Sequence, residues 1–167
     1  QQRANVDGTR NTVRLAEELG AGHFHLVSSI AAAGLFEGLF REDMFDEAEN
    51  LENPYFRTKH DSEGIVRKEC KIPWRIFRPA IVVGDSRTGE MDKIDGPYYF
   101  FKLIQKMRRM LPPWMPTIGI EGGRINIVPV DFIVAALNHL SHLKGHDGKC
   151  FHLTDPEPRR VGDILNI

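Results

Sequence analysis

The sequence predicts an α/β domain in which helices cover both faces of a parallel β-sheet. Helical segments alternate along the chain with short apolar segments that do not alternate between polar and apolar residues. Strands of this kind are typical of parallel sheets, because the helices that connect parallel strands bury both faces of the sheet. The chain has 167 residues, 41% of them hydrophobic, which is enough for one buried core.

Glycine, proline and capping residues set the predicted boundaries of these elements. Gly20 and Gly22 end the first helix. Asn53 begins the second helix as its cap, with Pro54 in the first turn. The predicted helices are 1–19, 54–70, 96–110 and 131–144 (the last capped by Asp131), the predicted strands are 23–28, 74–83, 125–128 and 150–154, and residues 31–53 and 111–123 are predicted to be irregular.

Charge and cysteine content argue against several classes of protein. The 22 Lys and Arg residues nearly balance the 23 Asp and Glu residues, so a nucleic-acid partner is not expected. No apolar run approaches the roughly 18 residues that a membrane-spanning helix needs, so no integral membrane segment is expected. Cys70 and Cys150 are too few for a disulfide framework, which favours a reducing compartment, the cytoplasm.

The strongest local signal for chemistry is the pair Tyr55 and Lys59 in the second predicted helix. At this spacing the two side chains project from one helix face, one turn apart. A free tyrosine has a pKa of about 10, and a neighbouring ammonium stabilises the phenolate, which suits the pair to proton exchange with a carbonyl or alcohol oxygen. Ser28 and Ser29 lie at the carboxyl end of a predicted strand, where open α/β sheets bind ligands, and supply a second hydrogen-bond donor.

Other candidate sites are weaker. Tyr98 and Lys102 have the same spacing, but they belong to an apolar helical stripe, so this pair is interpreted as core or as the wall of a substrate pocket. His139 and His142 lie one turn apart without a third ligand, and no metal site is predicted.

Four motifs together resemble the extended short-chain dehydrogenase/reductases, and with the longer strings given below the resemblance covers essentially the whole chain. They are Asn5-Val6-Asp7-Gly8-Thr9, Ser28-Ser29, Tyr55-x-x-x-Lys59 and Arg78-Pro79-Ala80-Ile81-Val82-Val83-Gly84. Within that superfamily, the strings at 23–34, 40–45, 89–101 and 125–132 are similar to bacterial alcohol-forming fatty acyl-CoA reductases. The resemblance implies a Rossmann-type doubly wound parallel sheet and the NADPH-dependent reduction of a fatty acyl-CoA or fatty aldehyde to a fatty alcohol.

The resemblance also implies a role for each matching residue. Tyr55 would donate the proton to the carbonyl oxygen, and Lys59 would hold the nicotinamide ribose. Ser29 would orient the carbonyl, with Ser28 as the alternative. Asn5 would place a proton-relay water.

The same resemblance implies contacts with the cofactor. Pro79, Ile81 and Val82 would line the nicotinamide. Tyr98 is a candidate substrate contact because its predicted helix, which is apolar, would form the substrate pocket. NADPH would deliver hydride while the tyrosine protonates the oxygen.

One part of the family pattern is missing from the sequence. Enzymes of this type begin with a strand, a glycine-rich turn and a helix whose amino terminus receives the cofactor pyrophosphate. The glycines at 20–22 and 119–123 do not have that context. We therefore expect residues 1–167 to be the catalytic, carboxyl-terminal portion of a single Rossmann domain, which needs the rest of its parent polypeptide to hold NADPH.

Two alternatives remain open. The same fold serves epimerases, dehydratases and hydroxysteroid-type dehydrogenases, which would keep the chemistry and change the substrate. A non-catalytic Rossmann-like binding module would keep only the fold.

Overall fold

The computed structural model describes residues 2–91 and 123–160. A π-helical turn at Arg3–Asp7 leads into the first helix, and a 3-10 turn at Ile30–Ala33 follows the first strand. The predicted helix 96–110, with Tyr98, lies outside the described residues. The helices are α1 (Gly8–Glu18), α2 (Pro54–Glu69) and α3 (Val130–His142), and the strands are β1 (Phe24–Val27), β2 (Trp74–Pro79), β3 (Ile81–Val83), β4 (Arg124–Ile125), β5 (Ile127–Pro129), β6 (Lys149–Leu153) and β7 (Arg159–Arg160).

The centre of the fold is a three-stranded parallel sheet in the order β1-β2-β6. The register runs from Phe24↔Trp74 to Val27↔Phe77 and from Arg75↔Lys149 to Pro79↔Leu153. Helix α2 connects β1 to β2, and α3 precedes β6. Parallel strands need such crossover connections, which are usually helices. The predicted α/β fold with a parallel sheet is therefore confirmed.

Two apolar clusters form the core, one on each face of this sheet. Neighbouring residues of a strand point to opposite faces, so Ile76 joins one cluster and Phe77 the other, and both are fully buried. Burial of a side chain of this size contributes about 1.5–3 kcal/mol. The first cluster comprises Val6, Val13, Phe24, Ile65, Val66, Ile76 and Cys150, and the second comprises Phe77, Ala80, Val128, Ile133 and Leu153.

The predicted single strand 74–83 is wrong in one respect, because the structure divides it at Ala80. The Ala80 N–H donates to the Leu153 carbonyl at 3.0 Å, whereas the next N–H, of Ile81, donates to the Asn126 carbonyl at 3.2 Å. The chain thus leaves the main sheet and pairs with β5 in parallel. The change of partner depends on residues distant in sequence, so local apolar content does not reveal it.

The predicted strand 125–128 is likewise divided, at Asn126. The Asn126 side chain donates to the Asp155 carbonyl at 2.7 Å and accepts from the Asp155 N–H at 2.9 Å. On either side of it, β4 pairs antiparallel with β7, and β5 pairs with β3. The amide therefore fixes the loop that follows β6 against the strand pair.

The predicted cap of α3 is also wrong. Pro129, with extended backbone, occupies the cap position, and Asp131 lies in the first turn of the helix. The Asp131 carboxylate instead accepts hydrogen bonds from the backbone N–H and the hydroxyl of Ser86, at 2.9 and 2.7 Å. These bonds lower the pKa of Asp131, and they hold the loop after β3 against the start of α3.

Both cysteines are free thiols. Cys150 is buried in the first apolar cluster, and burial raises the pKa of its thiol to about 12. Within residues 2–91 and 123–160, no helix combines the length and the apolar content that crossing a membrane would require.

Candidate active site

Tyr55 and Lys59 lie at the start of α2. The Asn53 side chain caps the helix by accepting the Tyr55 N–H at 2.8 Å, and Pro54 occupies the first position, so the helix begins as the sequence predicts. Tyr55 is 39% exposed. The Lys59 ammonium lies 5.9 Å from the centroid of the Tyr55 ring, within the range of an attractive cation–π contact. The predicted pair therefore shares one accessible helix face.

Ser28 and Ser29 follow β1 at the carboxyl edge of the sheet, but their hydroxyls differ. Ser28 is 5% exposed, and its hydroxyl has no hydrogen-bond partner among the described residues. The Ser29 hydroxyl accepts the Ala31 N–H at 3.2 Å and so caps the 3-10 turn. A hydroxyl has one proton and two acceptor positions, so Ser29 keeps its proton available for donation.

His60 connects the turn after Ser29 to the helix that carries Tyr55 and Lys59. Its ring Nδ1 lies 3.2 Å from the Ala32 carbonyl, and the ring stacks on Phe45 with centroids 4.2 Å apart. The contact to Ala32 joins the serine-bearing segment to α2 one residue beyond Lys59. This contact packs the turn that follows the predicted serines against the helix that carries the tyrosine–lysine pair.

Asn5 lies in the π-helical turn before α1, a local geometry that is frequent at functional sites. Its side-chain amide donates to the Thr58 hydroxyl at 3.0 Å, and its backbone carbonyl accepts a hydrogen bond from the Ser62 hydroxyl at 3.0 Å. The same carbonyl accepts the Thr9 hydroxyl at 2.6 Å. Asn5 is therefore fixed against α2, beside the residue that precedes Lys59.

A buried ion pair lies one turn further along α2. Glu63 is four residues after Lys59, and its carboxylate accepts three hydrogen bonds from Arg78 of β2, the shortest of 2.7 Å. Both side chains are at most 1% exposed. Burial lowers the pKa of Arg78, but the hydrogen bonds and the charge of Glu63 outweigh it, so the net pKa is raised and the arginine stays charged.

Arg78 also holds the connecting loop (residues 34–53), which links the 3-10 turn to α2. Its guanidinium donates to the Met44 carbonyl at 3.0 Å and to the Arg41 carbonyl at 3.5 Å. It also lies 3.3 Å from the His152 ring nitrogen and 5.1 Å from the Phe40 ring centroid. One buried cation therefore joins β2, α2, β6 and the loop that leads into Tyr55.

The predicted cofactor-lining residues lie next to this ion pair. Pro79, which is buried, ends β2 directly after Arg78. Ile81 and Val82 are half-buried in β3. All three lie at or just beyond the carboxyl end of β2, the edge where open α/β sheets bind ligands. Among the described residues, no glycine-rich turn joins a strand to a following helix.

Several residues that organise this region received no role from the sequence, namely Thr58, His60, Glu63 and Arg78, although Arg78 begins one of the motifs. One sequence signal points to the arginine, because charged residues inside an otherwise apolar strand must find partners when the strand is buried. Arg75 illustrates the same rule at the opposite end of β2. It is 2% exposed and donates twice to Asp147, at 2.9 and 3.1 Å.

Comparison with known sequences gives a family and several relatives. The sequence profile of an NAD-binding family described as male sterility protein matches residues 1–137. The chain is 29% identical over 168 residues to glycine betaine reductase ATRR of Emericella nidulans, an alignment that covers 97% of this chain and 13% of that protein. It is 27% identical over 165 residues to aldehyde reductase lnbA of Aspergillus flavus, with coverage of 92% and 15%.

Solved structures share the fold. The terminal R domain from the myxalamid PKS-NRPS biosynthetic pathway matches with a TM-score of 0.80 and 29% identity, over 99% of this chain and 42% of that one. The dTDP-glucose 4,6-dehydratase of Bacillus anthracis, solved in complex with NAD, matches with a TM-score of 0.70 over 97% of this chain and 50% of that one. At 16% identity this second likeness concerns the fold alone.

The chain thus spans 42% of the solved R domain and a far smaller share of the two curated relatives. The family profile, in contrast, covers most of the 167 residues. The chain therefore belongs to the male sterility protein family, a family of NAD-binding, reductase-type domains related to the extended short-chain dehydrogenase/reductases.

Proposed function

We propose that these residues form the proton-transfer side of an NADPH-dependent reductase site, which converts a fatty acyl-CoA or a fatty aldehyde to a fatty alcohol. The observation that carries the proposal is the tyrosine–lysine pair on the accessible start of α2, with 5.9 Å between the Lys59 ammonium and the Tyr55 ring centroid. The same helix is bonded to the turn that Ser29 begins. The presence of a proton donor, a cation and a free hydroxyl proton favours an enzyme over a binding module.

The proposed roles follow from the hydrogen-bonding capacity of each group. Tyr55 donates its phenolic proton to the carbonyl oxygen of the substrate, and the Lys59 ammonium stabilises the phenolate that results. The Ser29 hydroxyl donates its single proton to the same oxygen and so orients the carbonyl. Ser28 is the weaker candidate for this role because its hydroxyl is buried. Asn5 holds α1 against α2 through Thr58 and so supports the proton path.

The cofactor would be held on two sides. Pro79, Ile81 and Val82 offer an apolar surface for the nicotinamide, and Lys59 would reach its ribose. When bound, NADPH would supply the hydride for the carbonyl carbon: one hydride and one proton convert an aldehyde to the alcohol, whereas an acyl-CoA needs two rounds, the first of which releases coenzyme A as its thiol. The rest of the parent polypeptide would supply the glycine-rich turn and the helix terminus that hold the pyrophosphate.

The substrate class is proposed on narrower grounds. The strings at 89–101 and 125–132 resemble fatty acyl-CoA reductases, and the apolar stripe that contains Tyr98 suits a lipid chain better than a sugar nucleotide. The name of the Aspergillus flavus relative, an aldehyde reductase, supports carbonyl reduction. The preference for NADPH over NADH follows from the resemblance.

The test is steady-state reduction of a fatty aldehyde by the full-length protein. Tyr55→Phe removes only the hydroxyl, and kcat should fall by about 10²–10⁴-fold, the usual worth of a positioned general acid, with an unchanged melting temperature. Ser29→Ala should cost more activity than Ser28→Ala. The same hydroxyl deletion in the second pair, Tyr98→Phe, tests the choice between the pairs. If Tyr55→Phe keeps near-normal turnover, the proposed function is refuted.

A further inference from the structure

Three arginines converge on an open cleft that the proton-transfer site does not use. The cleft has a volume of 380 Å³ and is called here the arginine cleft. It is formed by β4, by β7 and by the loop between β6 and β7. Its lining residues are Arg124, Pro156, Glu157, Pro158, Arg159 and Arg160.

The strand pairing holds two of these cations together. Arg124 of β4 is directly opposite Arg160 of β7 in the antiparallel register. Residues in this relation have Cβ atoms about 5 Å apart on one face of the pair, and like charges there are destabilising. Among the described residues, none of the three arginines forms an ion pair. An anion bound between Arg124 and Arg160 would remove this repulsion.

Hydrogen bonds and prolines hold the backbone of the loop between β6 and β7, which forms one wall of the cleft. The Asn126 side chain makes two hydrogen bonds to the backbone of Asp155, at 2.7 and 2.9 Å. The Asp155 carboxylate in turn accepts the Glu157 N–H at 2.8 Å, and prolines stand on both sides of Glu157. Because proline fixes φ, this loop holds one wall of the cleft in place before any ligand binds.

The position of the cleft is that of a ligand site. Strands β2 and β6 are parallel and end together at Pro79 and Leu153, so the loop after Leu153 leaves from the carboxyl edge of the sheet. The backbone carbonyl of Asn126, two residues after Arg124, accepts a hydrogen bond from the Ile81 N–H at 3.2 Å. The arginine cleft therefore lies near the proposed nicotinamide-lining residues, on the edge where open α/β sheets bind ligands.

We propose that Arg124 and Arg160, with Arg159 at the rim, form a subsite for a phosphate group of a bound ligand. Guanidinium groups pair with phosphate oxygens in a bidentate way, and two of them match a doubly charged phosphate or a diphosphate. The source of that phosphate rests on the proposed function, in which both the coenzyme A of the acyl donor and NADPH carry phosphates.

Inorganic pyrophosphate tests the subsite directly, without turnover. Calorimetric titration of the full-length protein should show binding that weakens with added salt. The variant Arg124→Ala/Arg160→Ala should bind at least about tenfold more weakly, since charge-assisted hydrogen bonds are lost. A matched variant that removes two exposed cations elsewhere, Arg14→Ala/Lys144→Ala, should bind normally. Equal affinity in all three proteins overturns the proposal, whatever their activity.

Two further measurements separate a binding role from a structural one and identify the ligand. The Arg124→Ala/Arg160→Ala variant should melt no lower than the parent, because it removes a like-charge pair. A lower melting temperature with unchanged pyrophosphate affinity would make the pair structural and overturn the proposal. In kinetics, a higher KM for acyl-CoA alone assigns the phosphate to the acyl donor, and a higher KM for NADPH alone assigns it to the cofactor. The KM for a free fatty aldehyde should not change.

Discussion

Replacing Glu63 by alanine tests how much of the fold depends on the buried ion pair. The substitution leaves the Arg78 guanidinium, 1% exposed, without the carboxylate that accepts three of its hydrogen bonds. Removing one partner of a buried pair costs about 3–5 kcal/mol, because the remaining charge is neither paired nor hydrated. A chain of this size loses roughly 2–4 °C of melting temperature per kcal/mol. The expected drop is therefore about 6–20 °C.

The matched control is Glu69→Ala on the same helix. Glu69 forms a comparable pair with Arg10, at 3.1 Å, but both groups lie at the surface, where water and salt screen the attraction. This variant should melt close to the parent. Thermal unfolding followed by far-UV circular dichroism measures both. Equal losses for Glu63→Ala and Glu69→Ala would refute the reasoning, because the two pairs differ chiefly in burial.

A double substitution separates the net contribution of the ion pair to stability from the cost of leaving one of its charges unpaired. Replacing both partners by apolar residues, Glu63→Leu/Arg78→Met, removes both charges of the buried pair, and such replacements are often neutral. Arg67, which is 19% exposed, loses its 3.9 Å contact with Glu63 in this variant and in Glu63→Ala alike. Global stability should therefore recover substantially relative to Glu63→Ala. The carbonyls of Arg41 and Met44 would still lose their donor. Amide exchange in the connecting loop (residues 34–53) should consequently stay faster than in the parent.

Two further predictions concern the same region. Burial, and secondarily the charge of Arg78, lowers the pKa of His152 below its usual 6.5, so the unfolded chain takes up this proton first. Its contribution to stability is complete above pH 6.5 and is lost as the pH falls from 6.5 towards the folded-state pKa. In urea unfolding between pH 7.5 and 5, His152→Gln should therefore flatten the dependence of stability on pH, and an unchanged slope would contradict this. Gly34→Ala should destabilise far more than Gly20→Ala, as measured by melting temperature. The two glycines have similar φ values, +67° and +65°, but only at Gly34 would the added methyl overlap the carbonyl oxygen of Glu49. Similar losses in the two variants would contradict the steric argument.

The sequence predicted those parts of the fold that depend on local chemistry. Asn53 and Pro54 begin α2 as expected, and the first helix ends by Gly20, whose φ is +65°. The tyrosine–lysine spacing likewise follows from helix geometry alone. These features need only a few neighbouring residues, so composition and periodicity are enough to place them.

The features that were missed depend on partners far apart in the chain. Ala80 and Ile81 are neighbours, yet their N–H groups bind carbonyls of Leu153 and Asn126. The division of the predicted strand at Ala80 is therefore a tertiary effect. Likewise, Asp131 does not cap α3 as predicted but accepts hydrogen bonds from Ser86, which is 45 residues away in the sequence. Sequence periodicity carries no information on these contacts.

The candidate site shows the same limit. Tyr55 and Lys59 are close because they share one helix, but their relation to Ser29 depends on the contact between His60 and the Ala32 carbonyl. Asn5 was predicted from a motif, whereas its bond to Thr58, 53 residues away, was not. The structure therefore adds contacts between the segments that carry the separate motifs.

The connecting loop (residues 34–53) gives a physical reason for a buried ion pair, rather than two apolar side chains, at Glu63 and Arg78. An apolar pair of similar volume would fill the same space at little cost in stability. It would leave the carbonyls of Arg41 and Met44 without the donor that ties this loop to β2. A guanidinium has five N–H groups, enough to bind Glu63 and both carbonyls at once. Because this loop ends at Asn53, the cap of α2, the buried arginine ties the segment that leads into Tyr55 to the central sheet.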